Sequence, residues 1–124
     1  MAVEHPVLAT IQAQVDAWNA GDLEGFVRHV HADVVYVTPN GILRGAEALH
    51  DAYRGDWRDS PGGELTAQVE DVIDHGGVVT VIARYWLSGS RDDRAGWSLL
   101  TFVDTPSGWK LTADATMRSP RGSA

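Results

Sequence analysis

The stretch Asp16-Ala-Trp-Asn-Ala-Gly-Asp-Leu-Glu-Gly-Phe26 places two large aromatic side chains on either side of a short polar turn. Within it, Gly21 suits the left-handed residue that ends a helix, and Asp22 suits the N-cap of the next one. Before the turn, apolar residues recur at spacings of mostly three and four, which predicts an amphipathic helix over about 6–20. After it, a second apolar face predicts a helix over about 23–30. The second helix is expected to fold back against the first, with Trp18 and Phe26 closing the narrow end between the helices and the sheet.

Downstream, the sequence changes from a helical to a β pattern. Residues 34–38 are rich in β-branched side chains and predict a strand, and residues 45–54 predict a third helix that ends at Gly55. Four further strands are predicted over about 64–74, 77–88, 96–104 and 109–117. The order α-α-β-α-β-β-β-β predicts an α+β domain with its helices on one face of a strongly curved antiparallel or mixed sheet.

Length, charge and composition limit the possible functions. The chain has 124 residues, a formal net charge of −7 at pH 7 and no cysteine. This length predicts one domain over residues 1–118, followed by a disordered polar tail over 119–124. The lack of cysteine excludes disulfides and cysteine-ligated metals, and the acidic balance argues against nucleic acid. No apolar segment is long enough to span a membrane and no secretory signal is visible, so we expect a cytoplasmic protein without a membrane partner.

Several short motifs together resemble one known superfamily. They are Trp18-Asn-Ala-Gly-Asp-Leu23, Ala32-Asp-Val34, Gly41…Arg44-Gly45, Tyr53 and Gly108-Trp-Lys-Leu111. Their order and spacing resemble the NTF2-like superfamily and its SnoaL-like members, which include ketosteroid isomerases, polyketide cyclases and limonene epoxide hydrolases. The resemblance implies a cone in which a bent sheet wraps over three helices and leaves a pocket open at one end. It also implies a homodimer formed through the outer face of the sheet.

The catalytic trio of the ketosteroid isomerases is not retained. The position of the family's tyrosine falls on Gln14, that of its base on Thr38, and that of its neutral aspartic acid near Leu100 or Thr101. A threonine cannot accept a proton from carbon near neutral pH. Isomerisation by that mechanism is therefore not expected.

The other members imply a partial catalytic set. The epoxide hydrolases use Asp, Arg and Asp on neighbouring strands, and this chain offers Arg84 and Asp114 but has Trp86 where a carboxylate is wanted. The SnoaL-like cyclases use an aspartic acid from a late strand, for which Asp114 is the candidate. The resemblance therefore implies Asp114 as the acid/base, assisted by Arg84 or Tyr36.

The direction in which Asp114 and Arg84 point is left open by the pattern. Simple alternation along the last strand puts Leu111, Ala113 and Met117 inside and Asp114 outside. The same rule puts Arg84 on the outer face, where the two would form an ion pair. A bulge, which is common in strongly bent sheets, would reverse this.

Pattern and resemblance together predict the wall of a pocket for a small hydrophobic molecule. Trp57, in the predicted loop after the third helix, is a candidate flap at its mouth. The alternative is a filled core without a cavity. The other predicted wall residues are Trp18, Phe26, Val30, Tyr36, Thr38, Tyr53, Trp97, Leu99 and Thr101.

No metal or cofactor is predicted. His29 and His31 are two residues apart and point in different directions on a helix, so they cannot share a metal. No phosphate loop or dinucleotide fingerprint is present.

Two functions remain open. One is a cofactor-free isomerase, cyclase or hydrolase that acts on a polyketide-, steroid- or terpene-like compound. The other is a dimeric module that binds a ligand or a protein without turnover.

Overall fold

The computed structural model describes residues 4–59, 63–89 and 93–119, with the side chains of 55–59 excluded. Within these ranges the chain forms three helices and a six-stranded sheet, which confirms the predicted α+β class. The helices are α1 (Val7–Asn19), α2 (Leu23–Val27) and α3 (Ala46–Asp59). The strands are β1 (Val30–Thr38), β2 (Gly41–Arg44), β3 (Glu64–Asp74), β4 (Val78–Ser88), β5 (Arg94–Thr105) and β6 (Gly108–Arg118). None of the helices described is both long and apolar enough to cross a membrane.

The turn between α1 and α2 forms as its sequence predicts. Gly21 adopts a φ of 71°, which is readily accessible to glycine because it has no Cβ. The Asp22 side chain accepts a hydrogen bond from the Gly25 amide at 2.9 Å and thereby caps α2. The two helices consequently pack against each other at this turn.

The sheet is mixed, with the strand order β2-β1-β6-β5-β4-β3. Only the β1–β6 pair is parallel among the strand pairs described, and the other four pairs are antiparallel. Strand β2 is not predicted from the sequence, because Pro39-Asn-Gly41 is typical of a turn and only three residues separate it from the predicted third helix. The third helix is predicted to end at Gly55, whereas α3 continues to Asp59.

One face of the sheet, here called the inward face, carries the hydrophobic core. Its clearest marker is β4, where Val79, Val81, Ala83, Tyr85 and Leu87 are all buried and alternate with more exposed residues. The helices add buried side chains from the same side. The core consists of Val7, Ile11, Ala17, Phe26, Val30, Val34, Leu49, Val79, Val81, Ala83, Phe102 and Leu111.

A bulge in β6 decides which way Asp114 points. Leu111 pairs with Phe102, but Ala113 pairs with the preceding Thr101, so Thr112 is an extra residue. Leu111 and Asp114 are therefore both buried on the inward face although they are three positions apart. Simple alternation, which placed Asp114 outside, is wrong at this point. Beyond the bulge Met117 points outward and is 65% exposed.

The prediction that Trp97, Leu99 and Thr101 face inward is also wrong. Leu100 packs against the core, and its neighbours on β5 therefore point to the other side, here called the outer face. Leu99 is 49% exposed and pairs with Ile82, and Trp97 pairs with Arg84. Apolar residues occupy both faces of β5, so composition did not distinguish them.

Candidate functional site

Asp114 is the centre of the candidate site. Only 6% of the residue is exposed, and its carboxylate accepts hydrogen bonds from the Tyr36 hydroxyl and, at 3.2 Å, from Thr116 Oγ1. Tyr36 is its cross-strand neighbour in the parallel β1–β6 pair. Thr116 lies two residues further along β6, on the same face. Strand register therefore brings both hydroxyl groups to the carboxylate.

The acidity of Asp114 is strongly perturbed. Burial raises the pKa of this carboxyl to about 6, while the hydrogen bonds from Tyr36 and Thr116 favour the charged form and limit the rise. A carboxyl group with a pKa close to neutrality can both take up and release a proton near pH 6–7. Such a group is chemically suited to general acid/base catalysis.

Two tyrosines connect this carboxylate to helix α3. Burial, reinforced by the nearby Asp114 and Tyr53, raises the pKa of Tyr36 well above its usual value, so its phenol stays protonated and donates to Asp114. Tyr53, on α3, is hydrogen-bonded to Tyr36. The three side chains thus form a continuous hydrogen-bonded chain.

Aromatic rings surround this hydrogen-bonded chain. Trp18 lies 5.7 Å from Phe26 and 5.3 Å from Tyr53 between ring centroids, both edge to face. Tyr53 in turn lies 5.8 Å from Phe26 and 6.2 Å from Tyr36. We call these four residues the ring cluster. It gives the surroundings of Asp114 an apolar, low-dielectric character, which explains the raised pKa of its carboxyl.

The other predicted site residues lie in several different parts of the fold. Val30 is part of the buried core, while Thr38 lies at the β1–β2 turn, where its Oγ1 donates to the Gly41 carbonyl at 3.2 Å. The side chain of Trp57 lies outside the described residues. Arg84 is on the outer face, with its guanidinium 5.4 Å from the Trp86 ring and 5.0 Å from the Trp97 ring. The predicted partnership of Arg84 with Asp114 is therefore wrong.

Gln14, at the position of the isomerase tyrosine, has a structural contact. It is buried, and its amide nitrogen donates to the Phe26 carbonyl at 3.4 Å. This bond ties α1 to the end of α2. Thr116 is not among the predicted site residues, although its spacing of two from Asp114 already puts both side chains on one face of β6. The bulge at Thr112 turns that face inward.

The histidines singled out by the sequence do not assemble a metal site. His31 Nδ1 accepts a hydrogen bond from the Asp33 amide at 3.0 Å. Burial, with Lys110 and Arg28 nearby, lowers the pKa of His29. Across residues 4–59, 63–89 and 93–119, no three His, Asp or Glu side chains cluster closely enough to hold a metal ion.

Solved structures match this fold closely at low sequence identity. An NTF-2-like protein of unknown function from Shewanella oneidensis MR-1 is 20% identical, with a TM-score of 0.82, over 90% of this chain and 95% of that one. A ketosteroid isomerase-like protein from Erwinia carotovora atroseptica SCRI1043 is 17% identical, with a TM-score of 0.78, over 93% and 95%. The protein Aln2 from a Streptomyces species is 16% identical, with a TM-score of 0.76, over 91% and 88%. No curated protein matches the sequence.

The family assignment follows from the sequence as well as from the fold. The family model of the SnoaL-like domain matches residues 11–119, which span α1 to the end of β6. The resemblance found in the short motifs is thereby confirmed. The chain belongs to the SnoaL-like domain family and has the NTF2-like fold.

Proposed function

We propose that this protein is an acid/base enzyme that acts on a small, largely apolar, carbonyl-containing molecule bound beside the ring cluster. The observation that carries the proposal is the buried Asp114 carboxyl, whose pKa is about 6 and which Tyr36 holds by a hydrogen bond. A buried carboxylate in ordinary structural use would be paired with a cation, whereas the hydrogen-bond partners described for this one are neutral hydroxyl groups.

The chemistry that suits this group is proton transfer at a carbon next to a carbonyl. The Asp114 carboxylate would take the proton, and the electron pair of the broken C–H bond would move to the carbonyl oxygen as an enolate. Return of the proton to another carbon gives an isomerisation. Attack of the enolate carbon on a second carbonyl forms a C–C bond and an alkoxide, which takes the proton back from Asp114 and completes a cyclisation. Tyr36 keeps its hydrogen bond to Asp114 in both protonation states and so fixes the direction of the carboxyl.

The direct test is exchange of α-protons in D2O, followed by ¹H NMR with a panel of cyclic ketones that includes 2-tetralone. We expect exchange above the buffer rate, rising with pH through a midpoint near 6. Asp114→Asn should lower the enzymatic part by about 10²-fold or more. The matched control is Asp104→Asn, which removes an exposed carboxylate from β5 and should change nothing. Exchange at the buffer rate with every ketone, or full exchange by Asp114→Asn, would refute the proposal.

The second candidate is a module that binds its ligand without turnover. It is favoured by the contacts at the isomerase positions, where Gln14 and Thr38 are engaged in backbone hydrogen bonds and offer no acid or base. Titration of the panel by tryptophan fluorescence, alongside the exchange assay, separates the two. Saturable quenching without exchange supports the module.

The outer face of the sheet supports a proposed homodimer. One cross-strand row on this face is apolar across five strands: Ile42, Val37, Ala115, Leu99 and Ile82. Leu99, which belongs to this row, and Met117, which lies beside the row, are both exposed. A second copy of the chain would cover this surface. We expect analytical ultracentrifugation to show a dimer that Leu99→Glu converts to monomer, and a monomeric wild type would contradict the proposal.

A further inference from the structure

A second group of polar side chains lies on the inward face, further along the sheet than Asp114. Tyr85 pairs with Gly96, and Gly96 pairs with Arg118, so the three form one cross-strand row. Arg118 follows Asp114 by four residues on β6, which corresponds to about 13 Å between Cα atoms. The row therefore lies at a distance from the carboxylate that a small fused-ring skeleton can span.

Arg94 belongs to the adjacent row. It pairs with Leu87, whose side chain is buried on the inward face. Because directly paired residues point to the same side of a sheet, Arg94 shares this face with Arg118. Two guanidinium groups and one phenol thus converge at the same end of the sheet.

Tyr85 connects the two arginines with the carboxylate. Only 9% of Tyr85 is exposed, and its hydroxyl is buried. Arg94 lies within hydrogen-bonding reach of the phenol oxygen as a donor, but the described residues offer no acceptor to the phenol O–H. Burial raises the pKa of Tyr85, the nearby Arg94 and Arg118 lower it, and Asp114 raises it, so all three charges lie within electrostatic reach of the phenol. The phenol stays protonated and is a donor. An unpaired buried donor is unfavourable and points to an acceptor from outside the chain.

We propose that Tyr85, Arg94 and Arg118 bind a carboxylate group of the ligand. Guanidinium groups bind carboxylates through paired, charge-assisted hydrogen bonds, and a phenol adds a further donor. The rest of a chain with a net charge of −7 would repel an anion, so the preference must come from these local groups. The inference rests on the proposed function and narrows its substrate class. The ligand is an organic acid whose carboxylate lies at this row, whose apolar body lies against the ring cluster and whose reacting carbon reaches Asp114.

The experiment compares two probes of the same shape, 2-naphthoate and uncharged 2-naphthamide, by isothermal titration calorimetry. We expect the wild-type chain to bind the carboxylate about tenfold more tightly than the amide. Arg118→Gln and Tyr85→Phe should remove this preference and leave the affinity for 2-naphthamide unchanged. Arg44→Gln is the matched control, because it removes one positive charge from an exposed position on β2.

Equal affinity for the two probes, or binding of neither, would overturn the inference. So would an equal effect of Arg118→Gln and Arg44→Gln. Arg94→Gln serves as a second variant if Arg118→Gln fails to fold. All titrations are repeated in Asp114→Asn, which cannot catalyse proton exchange. A preference that persists there supports the carboxylate site even if the proposed reaction fails, and loss of the preference with intact exchange refutes the site alone.

Discussion

Tyr36 and Asp114 face each other across the parallel pair formed by β1 and β6, and the tyrosine hydroxyl donates a hydrogen bond to the buried carboxylate. This single contact joins an early strand to a late one. It orients a side chain that lies in the apolar interior and titrates near neutral pH. The first two predictions below concern the pKa of this carboxyl group.

The first prediction concerns stability and pH. Because the folded-state pKa of Asp114 is about 6 and its ordinary value is 3.8, folding is opposed whenever the group is ionised. Lowering the pH from 7 to below 4 should therefore relieve a cost of about 3 kcal/mol from this group. Asp114→Asn should raise the free energy of unfolding at pH 7.5 and flatten its pH dependence between 4 and 6. Urea denaturation across that range, with Asp104→Asn as control, measures this, and an unchanged slope would contradict it.

The second prediction concerns Tyr36. Its hydrogen bond favours the ionised form of Asp114, so Tyr36→Phe should raise the pKa of that carboxyl further, by about one pH unit. Carboxyl ¹³C NMR titration reads the value directly. Tyr53→Phe is the comparison, because the Tyr53 hydroxyl is hydrogen-bonded to Tyr36 whereas the carboxylate bonds described are those of Tyr36 and Thr116, and its effect should be smaller. A pKa that stays near 6 in Tyr36→Phe would show that the contact does not tune the acid.

The third prediction concerns the close approach of β5 and β6. A Cβ on Gly96 would lie 2.0 Å from the Met117 carbonyl oxygen, a backbone atom that cannot move without separating the strands. Gly96→Ala should cost about 3 kcal/mol or more in the free energy of unfolding. Gly77→Ala is the matched control, since nothing lies within 4 Å of its Cβ position. Similar unfolding midpoints for the two variants would mean that the strands tolerate the shift.

The fourth prediction concerns the turn after α1. Asp22→Ala removes the acceptor for the Gly25 amide and should destabilise the protein by about 1 kcal/mol. Asp22→Asn keeps an acceptor oxygen at the cap and should recover most of the loss. Chemical denaturation of the three proteins decides the matter, and an Asp22→Ala variant as stable as the wild type would argue against the cap.

The parts of the structure that local chemistry determines could be predicted from the sequence. The helix pair around Gly21 and the inward alternation of β4 are of this kind. The direction of Asp114 could not be predicted, because it depends on the extra residue Thr112, and the pairing with β5 that accommodates it is non-local. The misplaced Trp97 has a similar cause, since β5 carries large apolar residues on both faces and only one face meets the helices.

The position of the final strand has a consequence for synthesis of the chain. Since β6 lies between β1 and β5, a nascent polypeptide that has not yet released it from the ribosome exposes two unpaired strand edges at the middle of its future sheet. Tyr36 and the ring cluster lack their carboxylate until β6 has left the ribosome. Such an intermediate can pair with other incomplete chains, so slow translation of the codons for β6 would favour aggregation over folding.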